Sequence, residues 1–290
     1  MVSKYVFKTY AMAGVAILAV CVTSCKRIQA GEPADSHEAA AVLNAGVAKP
    51  TMEATKKIHW KPPVYDTTKQ YIYLTFDDGP QPGTSACFNL CKQLGIKATF
   101  FMVGEHAADK RPKKLVDSIR NSYPEFLLAN HSFTHASNKY KYFYGHAQYA
   151  STDFARAQDS LKVPFLIARL PGNNAWVRTG EVKGSTMVNP LCHLLDSSGY
   201  NVIGWDVEWH FSPKTANPVQ SASQMIATIE SVLQHKTHTP NHIMILTHDR
   251  MFRHPNYTDS LAKVITTLKQ NPRYVFETAD NYPGLKMQEQ

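Results

Sequence analysis

Two adjacent carboxylates, Asp77 and Asp78, stand in Thr75-Phe76-Asp77-Asp78-Gly79. They follow Tyr71-Ile72-Tyr73-Leu74, an aromatic and β-branched run with the composition of a buried strand. Gly79-Pro80 closes the stretch as a turn. Like charges side by side at the end of a buried strand are costly unless a cation or a shared proton offsets them. A metal ion would do that. His131-Ser132-Phe133-Thr134-His135 supplies imidazoles at i and i+4, which a helical turn would project from one face. Two histidines and one carboxylate leave coordination positions open for water and substrate, as catalytic zinc sites do. The other aspartate is then free to act as a base.

Arg169 ends the apolar run Phe165-Leu166-Ile167-Ala168, and an arginine leaving such a strand wants a carboxylate partner. His248 ends Ile243-Met244-Ile245-Leu246-Thr247 and could be a third metal ligand or a general acid. Acid work needs the imidazolium, which a neighbouring carboxylate would favour. A second i, i+4 pair, His238 and His242, encloses Pro240 and is assigned no role.

These residues need elements to position them. Strands are expected at Tyr71–Phe76, Ala98–Val103, Phe126–Ala129, Phe165–Arg169, Val202–Trp205, His242–Thr247 and Tyr274–Glu277. Helices are expected at Thr84–Leu94, Pro112–Asn121, Ala147–Leu161, Met187–Ser198, Ser221–Gln234 and Asp259–Gln270. Repeated βα units imply a parallel sheet, as a closed or nearly closed barrel or a doubly wound open sheet. Either way, functional groups gather at the carboxyl ends of strands. Those exits read Asp77-Asp78, Gly104-Glu105, Asn130-His131, Arg169, Asp206 and His248-Asp249, a convergence stronger than any one residue.

The flanks and composition bound the rest. Lys4 and Lys8 precede an apolar run from Ala11 to Val22, shaped like a signal-peptide core. Val22-Thr23-Ser24-Cys25 resembles a bacterial lipoprotein signal, so Cys25 is the expected lipidated residue. The division expected is a signal over 1–24, a lipid-anchored tether over 25–65 and a catalytic domain over 66–290. The address that follows is the cell envelope, extracytoplasmic, periplasmic or on the outer membrane. Apolar and charged fractions of 43% and 19% suit a globular domain. The formal charge of +8 suits an anionic partner, but no dense Lys/Arg block with interleaved aromatics points to nucleic acid. Cys87, Cys91 and Cys192 form no CxxC pair and read as buried free thiols.

In this order, the segments resemble the polysaccharide deacetylase family, the NodB-homology domain of carbohydrate esterase family 4, over about residues 70 to 280. Thr75-Phe76-Asp77-Asp78-Gly79 is similar to its first motif and His131–His135 to its second. Phe100-Phe101-Met102-Val103-Gly104 is similar to its second strand. The resemblance implies a distorted (β/α)7-type barrel with parallel strands and its site at their C-terminal ends. It makes Asp77 the base and gives a divalent metal, usually zinc, to Asp78, His131 and His135. Arg169-Leu170-Pro171-Gly172 resembles the third motif, whose Arg contacts the base. Leu246-Thr247-His248 resembles the fifth, whose Leu lines the acetyl pocket and whose His is the general acid.

Two departures stand out. Gly172 occupies a position where the family usually has an aromatic; the oxyanion-binding amide remains, but a wall of the groove is missing. The fourth motif, usually Asp-x-x-Asp-Trp, here faces Trp205-Asp206-Val207-Glu208-Trp209. Two alignments are open, leaving Asp206 and Glu208 as candidates for tuning the acid and Trp209 as a candidate for lining the pocket.

The activity implied is metal-dependent removal of acetyl groups, N-acetyl foremost, from a glycan. It needs no acylated serine, and the chain has no Gly-x-Ser-x-Gly elbow. The alternatives are a catalytically impaired glycan-binding lipoprotein on the same fold and a hydrolase of a non-glycan amide. An acetylated glycan and, through the anchor, a membrane are the expected partners; the oligomeric state is not legible.

Overall fold

The computed structural model describes residues 60–287. Its centre is β1 (Gln70–Gly79), whose first eight residues are all buried or nearly so. Alternation along β1 sets the architecture. Ile72, Leu74 and Phe76 point into one apolar cluster with the helices, whereas Tyr71 and Tyr73 point into another inside the curve of the sheet. Asp77 continues the inward series.

On one side β1 pairs in parallel with β9 (His242–His248), from Tyr71 opposite His242 to Asp77 opposite His248. On the other side it pairs with β10 (Tyr274–Phe276) at its start and with β2 (Ala98–Met102) at its end. The sheet continues in parallel through β3 (Phe126–Asn130), β4 (Ile167–Ala168) and β7 (Asn201–Val202). An antiparallel hairpin of β5 (Trp176–Arg178) and β6 (Glu181–Lys183) extends the β7 edge. A two-residue β8 (Val207–Glu208) extends the β9 edge. The order β6-β5-β7-β4-β3-β2-β1-β9-β8 leaves β6 and β8 unpaired with each other, so the sheet curls into a mostly parallel half-barrel.

Helices cover the outer face. The first is α1 (Thr84–Gln93), which buries Cys87, Phe88 and Cys91, and the second is α2 (Lys110–Arg120), which buries Val116 and Ile119. A short α3 (Tyr140–Gly145) leads into α4 (Ala147–Leu161), whose buried stripe includes Ala150, Phe154, Ala157 and Leu161. Then come α5 (Asn189–Ser197), α6 (Ala222–His235) and α7 (Pro255–Lys269). A capping box between Ser221 and Gln224 fixes the start of α6.

All seven expected strand positions carry strands. The hairpin β5–β6, β8 and α3 were not expected, because pieces of two to six residues carry too little periodicity. The fourth strand starts at Ile167 and not at Phe165: Pro164 has no N–H to give, and Ile167 N bonds back to Phe165 O at 2.8 Å. Trp60 and Tyr65, within the segment read as tether, bond to the carbonyls of Asp280 and Asn281 and pack on the interior cluster. The division at residue 24 and Cys25 lie outside the described residues. Cys87, Cys91 and Cys192 are buried and unpaired.

His242 has a structural place at the start of β9. It stacks on Tyr71 at 4.9 Å, and its Nδ1 lies 2.9 Å from Tyr73 Oη. Burial lowers its pKa to about 4. The unfolded chain takes up this proton near the ordinary value of about 6.5. Stability from the neutral imidazole is therefore fully present above that value and is lost as pH falls toward 4. Urea unfolding at pH 7 and pH 4.5 should show a smaller acid loss in His242→Gln than in the parent chain. An equal loss would contradict this assignment.

Candidate active site and metal centre

The exit of β1 solves a geometric problem. Consecutive strand residues point to opposite faces, yet two carboxylates must serve one site. The β1–β2 register shifts between Asp77 and Gly79, and Asp78 turns to φ 73°. The bulge brings Asp78 round to the mouth that Asp77 already faces.

His131 follows β3 directly, and its Nδ1 lies 2.9 Å from the Arg169 carbonyl. That partner can only accept, so the proton sits on Nδ1 and Nε2 keeps its lone pair for the site. The segment after it is not the helical turn expected from the i, i+4 spacing. Ser132 and His135 both have positive φ, 65° and 50°, because the loop is held from outside. Asp153 on α4 accepts from the N–H groups of Phe133 and Thr134 at 2.8 and 3.0 Å. Asn130 Oδ1 accepts from Ser132 N, and Ser132 Oγ accepts from His135 N. The two imidazoles still converge.

Asp78 Oδ1 lies 3.0 Å from His135 Nε2 and 3.4 Å from His131 Nε2. Neither approach has hydrogen-bonding geometry, and this buried oxygen has no other partner. One donor atom from each of Asp78, His131 and His135 lies within 4.8 Å of the others. Lone pairs aimed at a common point, with one buried oxygen orphaned, fit a divalent cation. Burial opposes ionisation of Asp78, but in the absence of a cation, protons carried by the His131 and His135 rings hold its carboxyl well below the usual range. Burial also opposes charge on His131, but Asp77 and Asp78 outweigh it and raise its pKa.

Asp77 has a different environment. Arg169 is wholly buried and donates to Asp77 Oδ1 at 2.9 Å, to Thr75 Oγ1, and to the carbonyls of Ile203 and Gly204. The guanidinium lies over the Phe101 ring at 4.3 Å. Asp77 Oδ2 is 3.7 Å from His131 Nε2. One oxygen of Asp77 is thus committed to Arg169 and the other stands beside the donor cluster.

Residues 65–163 match the sequence profile of the family described as Polysaccharide deacetylase. Over that segment the chain is similar to the polysaccharide deacetylase family. It is 24% identical to a chitin disaccharide deacetylase of Vibrio alginolyticus, over 74% of this chain and 72% of that protein. It is 27% identical to a peptidoglycan-N-acetylglucosamine deacetylase of Bacillus cereus, over 72% of this chain and 69% of that one. Among solved structures, the catalytic domain of a peptidoglycan N-acetylglucosamine deacetylase from Eubacterium rectale superposes with a TM-score of 0.55 at 21% identity. That match covers 79% of this chain and 98% of the other. A family 4 carbohydrate esterase from Streptomyces lividans gives 0.52 at 21% identity, covering 74% and 95%. These likenesses fix the fold: a curled, mostly parallel sheet with helices outside.

The carboxylates and histidines line a cavity of about 520 Å3. Leu246, Gly172, Glu208 and His248 line it too. His248 stands beside Asp77 across the β1–β9 register, with Phe211 against its ring at 4.8 Å. Its Nδ1 is buried without a partner. The expected gain from neighbouring carboxylates is present but outweighed: burial lowers the His248 pKa, although Asp78 and Asp77 pull it up.

The fourth-motif region resolves into separate roles. Asp206 is not at the cavity; its carboxylate accepts from the N–H groups of His238 and Met244 at 2.5 and 2.7 Å, fastening the seam beside β9. Trp209 is buried against Phe252 and donates to the Gln220 carbonyl, and it does not line this cavity. Trp205 lines the cavity in its place. Glu208 reaches the cavity and lies 3.2 Å from His210 Nδ1.

Three lining residues had no sequence signal. His106 Nδ1 contacts the Asp78 carbonyl at 2.7 Å. Tyr140, on α3, has its hydroxyl 3.5 Å from His135 Nδ1. Its ring would stand 3.4 Å from a Cβ at Gly172, so Tyr140 occupies the wall that Gly172 leaves bare. Arg250 borders the rim.

Since a cation must displace any proton on His131, and the carboxylates favour that proton, metal affinity should weaken as pH falls through the raised His131 value. Calorimetric zinc titration of chelator-stripped protein between pH 6 and pH 8 should show tighter binding with rising pH and net proton release. Affinity independent of pH, or unchanged in His131→Ala, would contradict the assignment.

Proposed function

We propose that the chain is a metal-dependent hydrolase that removes N-acetyl groups from a glycan. One observation carries this reading: a buried carboxylate clamped by Arg169 stands beside three converging metal-type donors in one cavity. The relatives that are named as deacetylases of chitin disaccharide and of peptidoglycan N-acetylglucosamine support the N-acetyl substrate. Asp78, His131 and His135 would hold a divalent ion, zinc being the best match to this donor set, and the ion would act as a Lewis acid that also acidifies water.

Asp77 is the base. Arg169 orients its carboxylate and leaves Oδ2 to take a proton from the attacking water. The water oxygen bonds to the acetyl carbon, and the Gly172 N–H is assigned to the oxyanion that forms. Leu246 and Trp205 confine the methyl group and the sugar. His248 protonates the departing amine as the carbon–nitrogen bond breaks. Burial favours neutral His248 at rest, so it must first receive a proton, and Asp77 is its neighbour across the strand pair. The proton lost by water then ends on the amine, and acetate is the second product. We further propose, on the sequence alone, that Cys25 carries lipid and holds the domain in the cell envelope. Mass spectrometry of the mature N-terminus tests that point.

Asp77→Asn should lower acetate release from N-acetylglucosamine oligomers by about 10²–10⁴-fold, the usual worth of a general base. The variant should keep stoichiometric metal by elemental analysis. Full activity would remove Asp77 as the base; loss of metal would make it a ligand.

A further inference from the structure

A second cleft of about 290 Å3 lies beside the central cavity, with Gln81 and Arg250 lining both. Pro82, Pro213, Lys214, Thr215, Ala216 and Arg253 form the rest of the cleft's border. Its charge differs from that of the central cavity. The centre carries Asp77, Asp78, Glu105 and Glu208 together with four histidines and the shared Arg250, whereas the cleft carries Lys214, Arg250 and Arg253 and no acid.

None of the three cations is paired with a carboxylate among the described residues. Among the described residues, lysine and arginine form ion pairs only as Lys97–Glu277, Arg120–Asp117, Arg169–Asp77, Arg178–Glu181 and Lys286–Asp196. Arg253 is held by neutral groups: it donates to the carbonyls of Thr215 and Arg250 and to His254 Nε2. Arg250 lies 5.7 Å over the Phe211 ring, which itself packs on His248. Asp249, next in the chain to Arg250, turns inward to Thr84 and Gln81. Cations fixed through carbonyls and an aromatic face, with no carboxylate to satisfy them, are poised for an anion from outside.

We infer that this cleft is a subsite for an anionic substituent, a carboxylate or a phosphate, on a sugar flanking the one that loses its acetyl group. This rests on the glycan deacetylase reading. The basic cleft attracts such a substituent, whereas the central carboxylates are met by Arg169 and by the ion proposed there, so the charge pattern seats the anion in the cleft and its neighbour's acetyl group at Asp77.

The test uses peptide-free strands of alternating N-acetylglucosamine and N-acetylmuramic acid, and the same strands with their carboxylates methyl-esterified. A 6-phosphorylated N-acetylglucosamine trimer, against its unphosphorylated form, tests phosphate as the anion. Binding is measured calorimetrically and acetate release separately. The acid form should bind about tenfold more tightly than its ester, the scale of one good charge pair. Raising the salt concentration should erase that difference. Lys214→Gln and Arg250→Gln, both at exposed positions, should each reduce it. A phosphate preference without a carboxylate preference would identify phosphate as the anion. Equal binding of charged and neutral forms in both pairs, or a preference that survives both substitutions, would overturn the subsite. Absence of acetate from every form with the binding difference intact would instead sink the deacetylase reading and leave the subsite standing.

Discussion

The buried pair of Arg169 and Asp77 is the constraint on which the site depends. A guanidinium with no solvent exposure is tolerated only if its donors find acceptors and its charge finds a counter-charge. Arg169 has both: one carboxylate, one hydroxyl and two carbonyls, drawn from β1 and from the chain that follows β7. The same residue uses its own carbonyl to fix the His131 ring. One side chain and its backbone therefore set the orientation of the Asp77 carboxylate, the tautomer of a metal-type donor and the spacing of strands across the half-barrel. Breaking a buried pair of this kind typically costs about 3–5 kcal/mol, because the remaining charge is left alone.

That pair also explains the division of labour between neighbouring aspartates. Strand alternation would send Asp77 and Asp78 to opposite faces. The bulge at the end of β1 turns Asp78 into the mouth while Asp77 stays on the inward series with Tyr71 and Tyr73. Asp77 meets Arg169, and Asp78 meets two imidazoles. Identical side chains, one position apart, thus have a cation on one and nitrogen lone pairs on the other.

Much of this was legible in the sequence because residue type and position agreed. Charged groups at the ends of apolar runs are conspicuous, and Asp77, Asp78, His131, Arg169 and His248 all leave strands that exist. Position alone did not give role. Asp206 was expected at a strand exit, yet β7 ends at Val202 and Asp206 serves two backbone N–H groups at a seam that only the folded chain brings together. Trp205 and Trp209 are alike in sequence context; burial against Phe252 separates them. The histidine spacing suggested a helical turn, whereas Asp153, some twenty residues on, holds a loop in the left-handed region. Tyr140 fills the gap at Gly172 from a six-residue helix too short for any periodic signal. Contacts between distant segments, not local propensity, decided each of these.

The account turns on where a cation sits. Crystals of the zinc-loaded protein, measured on both sides of the zinc absorption edge, locate it directly. One anomalous peak is predicted about 2.0–2.2 Å from Asp78 Oδ1, His131 Nε2 and His135 Nε2, with Asp77 still bonded to Arg169 and outside the ligand set. A peak ligated by Asp77, or one away from the histidine pair, would contradict it.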